Sequence, residues 1–194
     1  SEMCIRDSDN GLPLRGGERV SIKIAANSGT NQSLDFTEPT KNFYVSGIEN
    51  VMIDGERESL VLNLVSREAI TNETVRVGKK FSTDSNISNT VRDILKNYIK
   101  TDKINQIETT MNNYGFIGNM KKPFQILTWL ASKSISGESE ESSGGNSAGF
   151  FFYQTKDGFN FRSIDSLVEQ KPFDRDYRYA PNVISTDDPC LLYT

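Results

Sequence analysis

Lys122–Ile135 reads KPFQILTWLASKSI, and Ser147–Leu167 reads SAGFFFYQTKDGFNFRSIDSL. The first stretch has helical spacing. Pro123 suits a first helical turn, where its missing N–H costs no bond. Phe124, Leu127, Leu130, Ala131 and Ile135 mark one face, and Ile126 and Trp129 widen it. A helix apolar over so much of its circumference is expected to be largely buried. In the second stretch, Phe150–Tyr153 is an unbroken apolar run, which predicts a strand covered on both faces. Asp157-Gly158 reads as a two-residue hairpin turn. It would pair Thr155 with Asn160, Gln154 with Phe161, Tyr153 with Arg162 and Phe152 with Ser163. The Tyr153–Arg162 pair would then supply a cation–π contact of about 0.5–1 kcal/mol. Between the two elements, residues 137–147 (GESEESSGGNS) form a low-complexity stretch expected to be a tolerant loop. The whole reads as a packed unit without a catalytic constellation.

Upstream of this pair, Ile87, Val91, Ile94, Leu95, Tyr98 and Ile99 follow helical spacing. Arg92, Asp93, Lys96 and Asn97 complete an amphipathic helix, with Asp84 or Ser85 as the expected N-cap. Residues 104–119 read as extended, broken at Tyr114-Gly115 and Gly118-Asn119. Residues 18–81 read as β throughout. Val20, Ile22 and Ile24 alternate with Ser21, Lys23 and Ala25, the period of a half-buried strand. A turn signal at residues 27–30 (NSGT) follows, then Leu34 and Phe36 in alternation. Two longer strands, residues 43–53 and 60–65, flank Asp54-Gly55. A tight turn at Asp54-Gly55 would set Ile53 against Glu56 and Val51 against Glu58. A loop over residues 54–59 instead pairs Ile53 with Leu60, Met52 with Val61 and Val51 with Leu62, and cross-strand apolar pairs favour it. Thr74–Val77 and Phe81 are expected to add a short strand. Short strands with turns between them suggest a sandwich or small barrel. Past the second stretch, Asp165 or Ser166 is placed to cap one helical turn, and residues 171–186 read as a connector.

Hydrophobic residues make up 36% and charged residues 25%, enough apolar content for a core. A net charge of -4 without a long basic block argues against direct nucleic-acid recognition. No apolar run nears the ~20 residues of a membrane span. Histidine is absent, which removes Ser-His-Asp and Cys-His catalysis and histidine metal ligands within the chain. The ends have their own signature. Ser1–Asp7 (SEMCIRD) can be back-translated as TCG GAG ATG TGT ATA AGA GAC, and Cys190–Thr194 (CLLYT) as TGT CTC TTA TAC ACA. All but the last base of the reverse complement of the second string, TGT GTA TAA GAG ACA, lies inside the first. Residues 1–8 and 189–194 are therefore expected to be translated sequencing adaptor, and the chain an open part of a longer gene. Both cysteines, Cys4 and Cys190, fall in these ends, so disulfides, zinc clusters and thiol nucleophiles gain no support.

Candidate chemical motifs have ordinary readings. Gly78-Lys79 resembles the end of a phosphate-binding loop, but Glu73 stands where that motif needs Gly and Lys80 where it needs Ser or Thr. Asp54, Glu56 and Glu58 form the tightest acidic cluster, without the spacing of a calcium loop. Asp174 and Asp176 around Arg175 read as solvated. Phe150, Phe151, Phe152, Tyr153, Phe159 and Phe161 would make a stacking platform or sugar-binding surface only with flanking basic residues in number, and read as core. Asn-x-Ser/Thr matches at Asn31, Asn72 and Asn86 are expected by accident in an Asn-rich chain.

An ordered set of segments resembles one family. Arg76–Phe81 (RVGKKF), Thr90–Leu95 (TVRDIL), Ile107-Glu108, Pro123–Ala131 (PFQILTWLA) and Phe151–Ile164 (FFYQTKDGFNFRSI) follow one another as in the hub proteins of contractile injection machines. They are most similar to the baseplate hub of T-even-like myoviruses. The likeness covers roughly residues 18–172, and its last two motifs are the specific part. Leu127 stands where the family form has Ala, and residues 136–148 are merely loop-like. The resemblance implies an α+β, mainly β fold. An incomplete tube-like β-barrel (residues 9–81) is followed by an inserted small α/β subdomain (82–172) and a connector (173–188) toward a second half.

It also implies a structural virion component, not an enzyme, with no cofactor, metal or catalytic residue. Three hub chains would form a homotrimeric ring of pseudo-sixfold symmetry in the tail baseplate. The ring would receive the hexameric tail tube protein at one end, hold the trimeric spike protein at the other and adjoin baseplate wedge proteins. Its signature residues are expected to be a buried frame: Phe124, Leu127, Trp129, Leu130, Phe151, Phe152, Tyr153, Asp157, Gly158 and Phe161. A VgrG-like hub of type VI secretion has a similar plan. A host-binding β module would instead display the aromatic hairpin, and an enzyme would unite Asp54, Glu56 or Glu58 with other carboxylates in a deep polar cleft.

Overall fold

The computed structural model describes residues 14–25, 34–54, 57–137 and 149–171. Both adaptor-like ends, the residue 27–30 turn, most of the Gly/Ser/Glu stretch and the connector lie outside these residues. The fold is α+β and mainly β, the class expected, and its described strands close no barrel.

The apolar core is drawn from residues 77–161. Helix α2 (Ile87–Ile94) continues into a π-helical turn at Leu95–Ile99, and Lys100 at φ 57° ends it. Ile87, Val91, Ile94, Leu95 and Ile99 are buried as the helical spacing predicts. The expected cap is corrected. The N-cap is Asn86, whose side chain makes no cap bond. A distant segment supplies the first-turn donors with acceptors instead: Ser88 N donates to Thr110 Oγ1 (3.0 Å) and Ile87 N to the Asn112 carbonyl (3.3 Å). Asp84 is engaged locally with Ser82.

Helix α3 (Pro123–Ala131) has Pro at its start and buries Pro123, Ile126, Leu127, Leu130 and Ala131. It is shorter than its apolar pattern, so Ile135 lies beyond it. Against it packs a mixed sheet in the order β7-β10-β9, formed by β7 (Ile104–Ile107), β9 (Phe150–Thr155) and β10 (Gly158–Ser163). A two-stranded ladder, β6 (Lys80–Phe81) with β8 (Phe116–Ile117), stacks Phe81 on Phe116 at 4.7 Å between centroids.

The hairpin departs from the expected register. Gly158 pairs with Thr155 and Phe161 with Phe152, so Lys156-Asp157 makes the turn and Gly158 opens β10. Every pair slips by two residues, which leaves each side chain on its face but changes its partner. Arg162 therefore faces Phe151, not Tyr153, and its guanidinium donates to the Ser166 carbonyl at 2.7 Å. The slip has a tertiary cause. At φ +135° Gly158 lies against the Lys103 carbonyl, and Phe159 N donates to that carbonyl at 2.8 Å as β10 meets β7 in parallel. Double coverage likewise belongs to central β10, buried at every residue, and not to edge strand β9. Helix α4 (Ile164–Val168) takes Ser163 as its N-cap, accepting from Ser166 N, where Asp165 or Ser166 was expected.

The preceding half holds strands β1 (Arg19–Val20), β2 (Ile22–Ile24), β3 (Leu34–Phe36), β4 (Phe43–Asp54) and β5 (Arg57–Ser66). They form the sheet β1-β4-β5 and the ribbon β2-β3. Asp54 pairs with Arg57, so two residues join β4 to β5 and the expected loop over 54–59 is not formed. Register shifts between Val45 and Gly47 and between Glu49 and Met52 carry the pairing from Val45↔Leu64 through Ile48↔Leu62 to Ile53↔Glu58. Extrapolation from the turn in one constant register could not find them, because each bulge adds a residue to one strand only.

Residues 67–74 are also not strand. Helix α1 (Arg67–Thr74) starts at Ser66, whose hydroxyl accepts from Ala69 N at 3.3 Å, with Glu68 in its first turn. Val77 makes an isolated bridge to Lys121 in place of a strand.

Candidate interaction surface and its frame

The signature residues divide by position. Leu127, Leu130 and Phe161 are fully buried, and Gly158 is buried beneath Lys103. Phe124, Trp129, Phe152 and Tyr153 are half-buried. Phe124 lies 5.6 Å from both Phe152 and Phe159, and Phe152 stacks on Phe159 at 5.6 Å. Trp129 meets Tyr114 and Phe116 edge-on at 5.4 Å. Such pairs contribute about 0.5–1.5 kcal/mol each beyond area burial. Two expectations are corrected. Phe151 is 52% exposed, because β9 is an edge strand, and Asp157 stands exposed in the turn.

Glu108 was noticed in sequence only as part of a two-residue likeness, yet it is the polar centre of the frame. Its buried carboxylate accepts from the Ser136 hydroxyl and from Ser163 N, both at 2.7 Å. It thereby ties the end of β7 to the segment after α3 and to the start of α4. Burial alone would raise its pKa, but donors from Ser163, Ser136 and Ser166 outweigh burial and hold it below the ordinary 4.5. A carboxyl depressed on folding adds stability that is present above 4.5 and is lost as pH falls through the lower folded value. Glu108→Gln is expected to cost about 1–3 kcal/mol at pH 7 by leaving a buried donor poorly matched. It should also flatten the loss of stability below pH 4.5 relative to the native chain. Urea midpoints measured from neutral to acid pH check both, and parallel pH curves would count against this role.

Outward-facing groups are apolar at several strands. Ile24 and Leu34 oppose one another across β2-β3 and are both exposed. Ile48 on β4 and Leu60 and Val61 on β5 are exposed as well, and β5 ends its sheet among the described residues. Isolated exposed apolar residues are ordinary, and adjacent Leu60 and Val61 face opposite sides of β5, but an open sheet edge is suited to pairing with another chain. Gly78 lies under the Met120 sulfur, and Lys79 pairs with Asp93 at 3.1 Å and sits over the Phe81 ring, an arrangement of a strand-flanking loop. Asn72 is buried, and Asn86 is half-buried against the Thr110 carbonyl. The side chains of Asp54, Glu56 and Glu58 and the Asp174–Asp176 segment lie outside the described ones. Among the described residues, no group of three or more His, Cys, Asp or Glu could hold a metal ion, and no helix is long and apolar enough to cross a membrane.

No family model matches the chain. Among curated proteins it is similar to the "Probable baseplate hub protein gp334" of Vibrio phage KVP40. The two are 25% identical over 169 residues, which is 87% of this chain and 36% of that protein. The chain thus spans about a third of the length of the relative it matches, and what it is similar to is part of a phage baseplate hub protein.

Proposed function

We propose that the chain is a structural segment of a contractile-tail baseplate hub, the subunit that joins a hexameric tail tube to a trimeric cell-puncturing spike. The carrying observation is the similarity to a phage baseplate hub protein along 87% of the chain. In this reading residues 9–81 belong to a tube-like β-barrel completed elsewhere, residues 82–172 are an α/β insertion that braces it, and residues 173–188 lead to the second half. Three copies make the ring, the open strands with their exposed Ile24, Leu34, Leu60 and Val61 are buried in it, and wedge proteins surround it in the virion. No chemical step is involved, and the segment works by fit. Burial of Phe150, Phe159 and Phe161 favours this reading over a host-binding module that displays its aromatics. A VgrG-like hub of a secretion machine would use the same architecture, and the genes adjoining this one distinguish it from a phage tail. The complete gene product is expected to be a trimer by light scattering at micromolar concentration and to bind its tail tube and spike proteins. A stable monomer there would sink the ring.

A further inference from the structure

The joint between the first sheet and the core has a distinctive chemistry. Among the described residues, the core cluster of residues 77–161 takes no apolar side chain from before Val77, and Val45 on β4 is buried apart from it. The link is helix α1, and its bonds are polar. Glu68, buried, accepts from Lys103 Nζ at 2.8 Å and from the Thr101 hydroxyl at 3.2 Å through the same oxygen, while its Oε2 is buried without a partner. Asn72 Oδ1 accepts from Phe124 N, in the first turn of α3, at 2.8 Å. Glu73 pairs with Lys122 on the surface, which holds its carboxyl below the ordinary range. Beside this joint, a cleft of about 480 Å³ separates Phe36, Asn42 and Phe43 from Lys103, Thr155 and Gly158.

We propose that α1 is a latch. Closed, it holds the β1-β4-β5 sheet against the core through Glu68, Asn72 and Glu73. Open, it lets the sheet swing into the cleft or away from it about Val75-Arg76, while the core stays folded. The hinge position follows from the anchors on either side. Val75 N still donates to Thr71 within the helix end, whereas Val77 N is already fixed to the Lys121 carbonyl at 3.0 Å. An apolar joint would merge the two parts into one cooperative unit. A joint made of a few polar bonds, one of them with an unsatisfied buried oxygen, opens at lower free energy than the core unfolds. Such play would let the sheet adjust to a neighbouring chain, and it stands whether or not the chain serves in a baseplate.

Amide exchange on the full chain tests the latch. Lys103→Met removes the charge from Glu68 and keeps the Lys103 carbonyl that holds Phe159 N. Exchange across α1 and at Phe124 N should then quicken about tenfold or more, while β10, α2 and Trp129 emission stay unchanged. The exposed Glu73→Gln should show the same selectivity at about two- to threefold. Acceleration shared by β10 and α2, or none at α1, in either variant would overturn the latch.

Discussion

Phe161→Ala is expected to lower the unfolding free energy by about 3–5 kcal/mol, the range for a large aromatic deleted from a core that cannot collapse around the gap. Phe161 is fully buried in the central strand of its sheet and lies 5.0 Å from Phe150 between ring centroids. Backbone pairing to β7 on one side and β9 on the other leaves β10 little freedom to close the cavity. Phe151→Ala provides the contrast, since the same side chain on the edge strand is 52% exposed. Its loss should cost about 1 kcal/mol or less on area grounds. Urea unfolding followed by Trp129 fluorescence reads both, and equal effects at the two positions would show that β10 is not the buried strand.

Gly158→Ala is expected to cost about 2–4 kcal/mol, combining backbone strain with a steric collision. At φ +135° an L side chain is strained whatever the space around it, and here there is none: a Cβ would sit 2.6 Å from the Lys103 carbonyl oxygen. The usual small benefit of alanine, a less flexible unfolded chain, is outweighed. The collision strikes the carbonyl that accepts from Phe159 N, so the parallel pairing of β7 with β10 should weaken along with stability. Asp157→Ala, one residue away in the exposed turn, should stay within about 0.5 kcal/mol. A Gly158→Ala protein as stable as the parent would mean that the close approach to Lys103 does not exist.

Much of the architecture was legible because it follows from local periodicity. Ile87 to Ile99 could bury one side only as a helix, and Pro123 followed by apolar residues on most sides could open only a buried one. The paired strands about Asp157-Gly158 were equally plain. Positions set by contacts distant in sequence were not legible. Glu108 looks like any surface acid until Ser136 and Ser163 close around it, 28 and 55 residues away. Helix α1 looked like more strand, since its short polar sequence carries no apolar stripe and its buried groups, Glu68 and Asn72, find partners only in Thr101, Lys103 and Phe124.

Hydrophobic period and turn chemistry act within a few residues, so the mainly β, α+β class, the two principal helices and the aromatic hairpin follow from them alone. Which residue of Asp157-Gly158 turns the chain, which strand of the hairpin is covered and how α2 is capped do not. Each of those choices depends on a group that the fold brings in from elsewhere: the Lys103 carbonyl, the flanking strand β7 and the Thr110 hydroxyl. A hydrogen-bond donor takes whichever acceptor the packed chain presents, and a glycine goes where another backbone needs its missing Cβ.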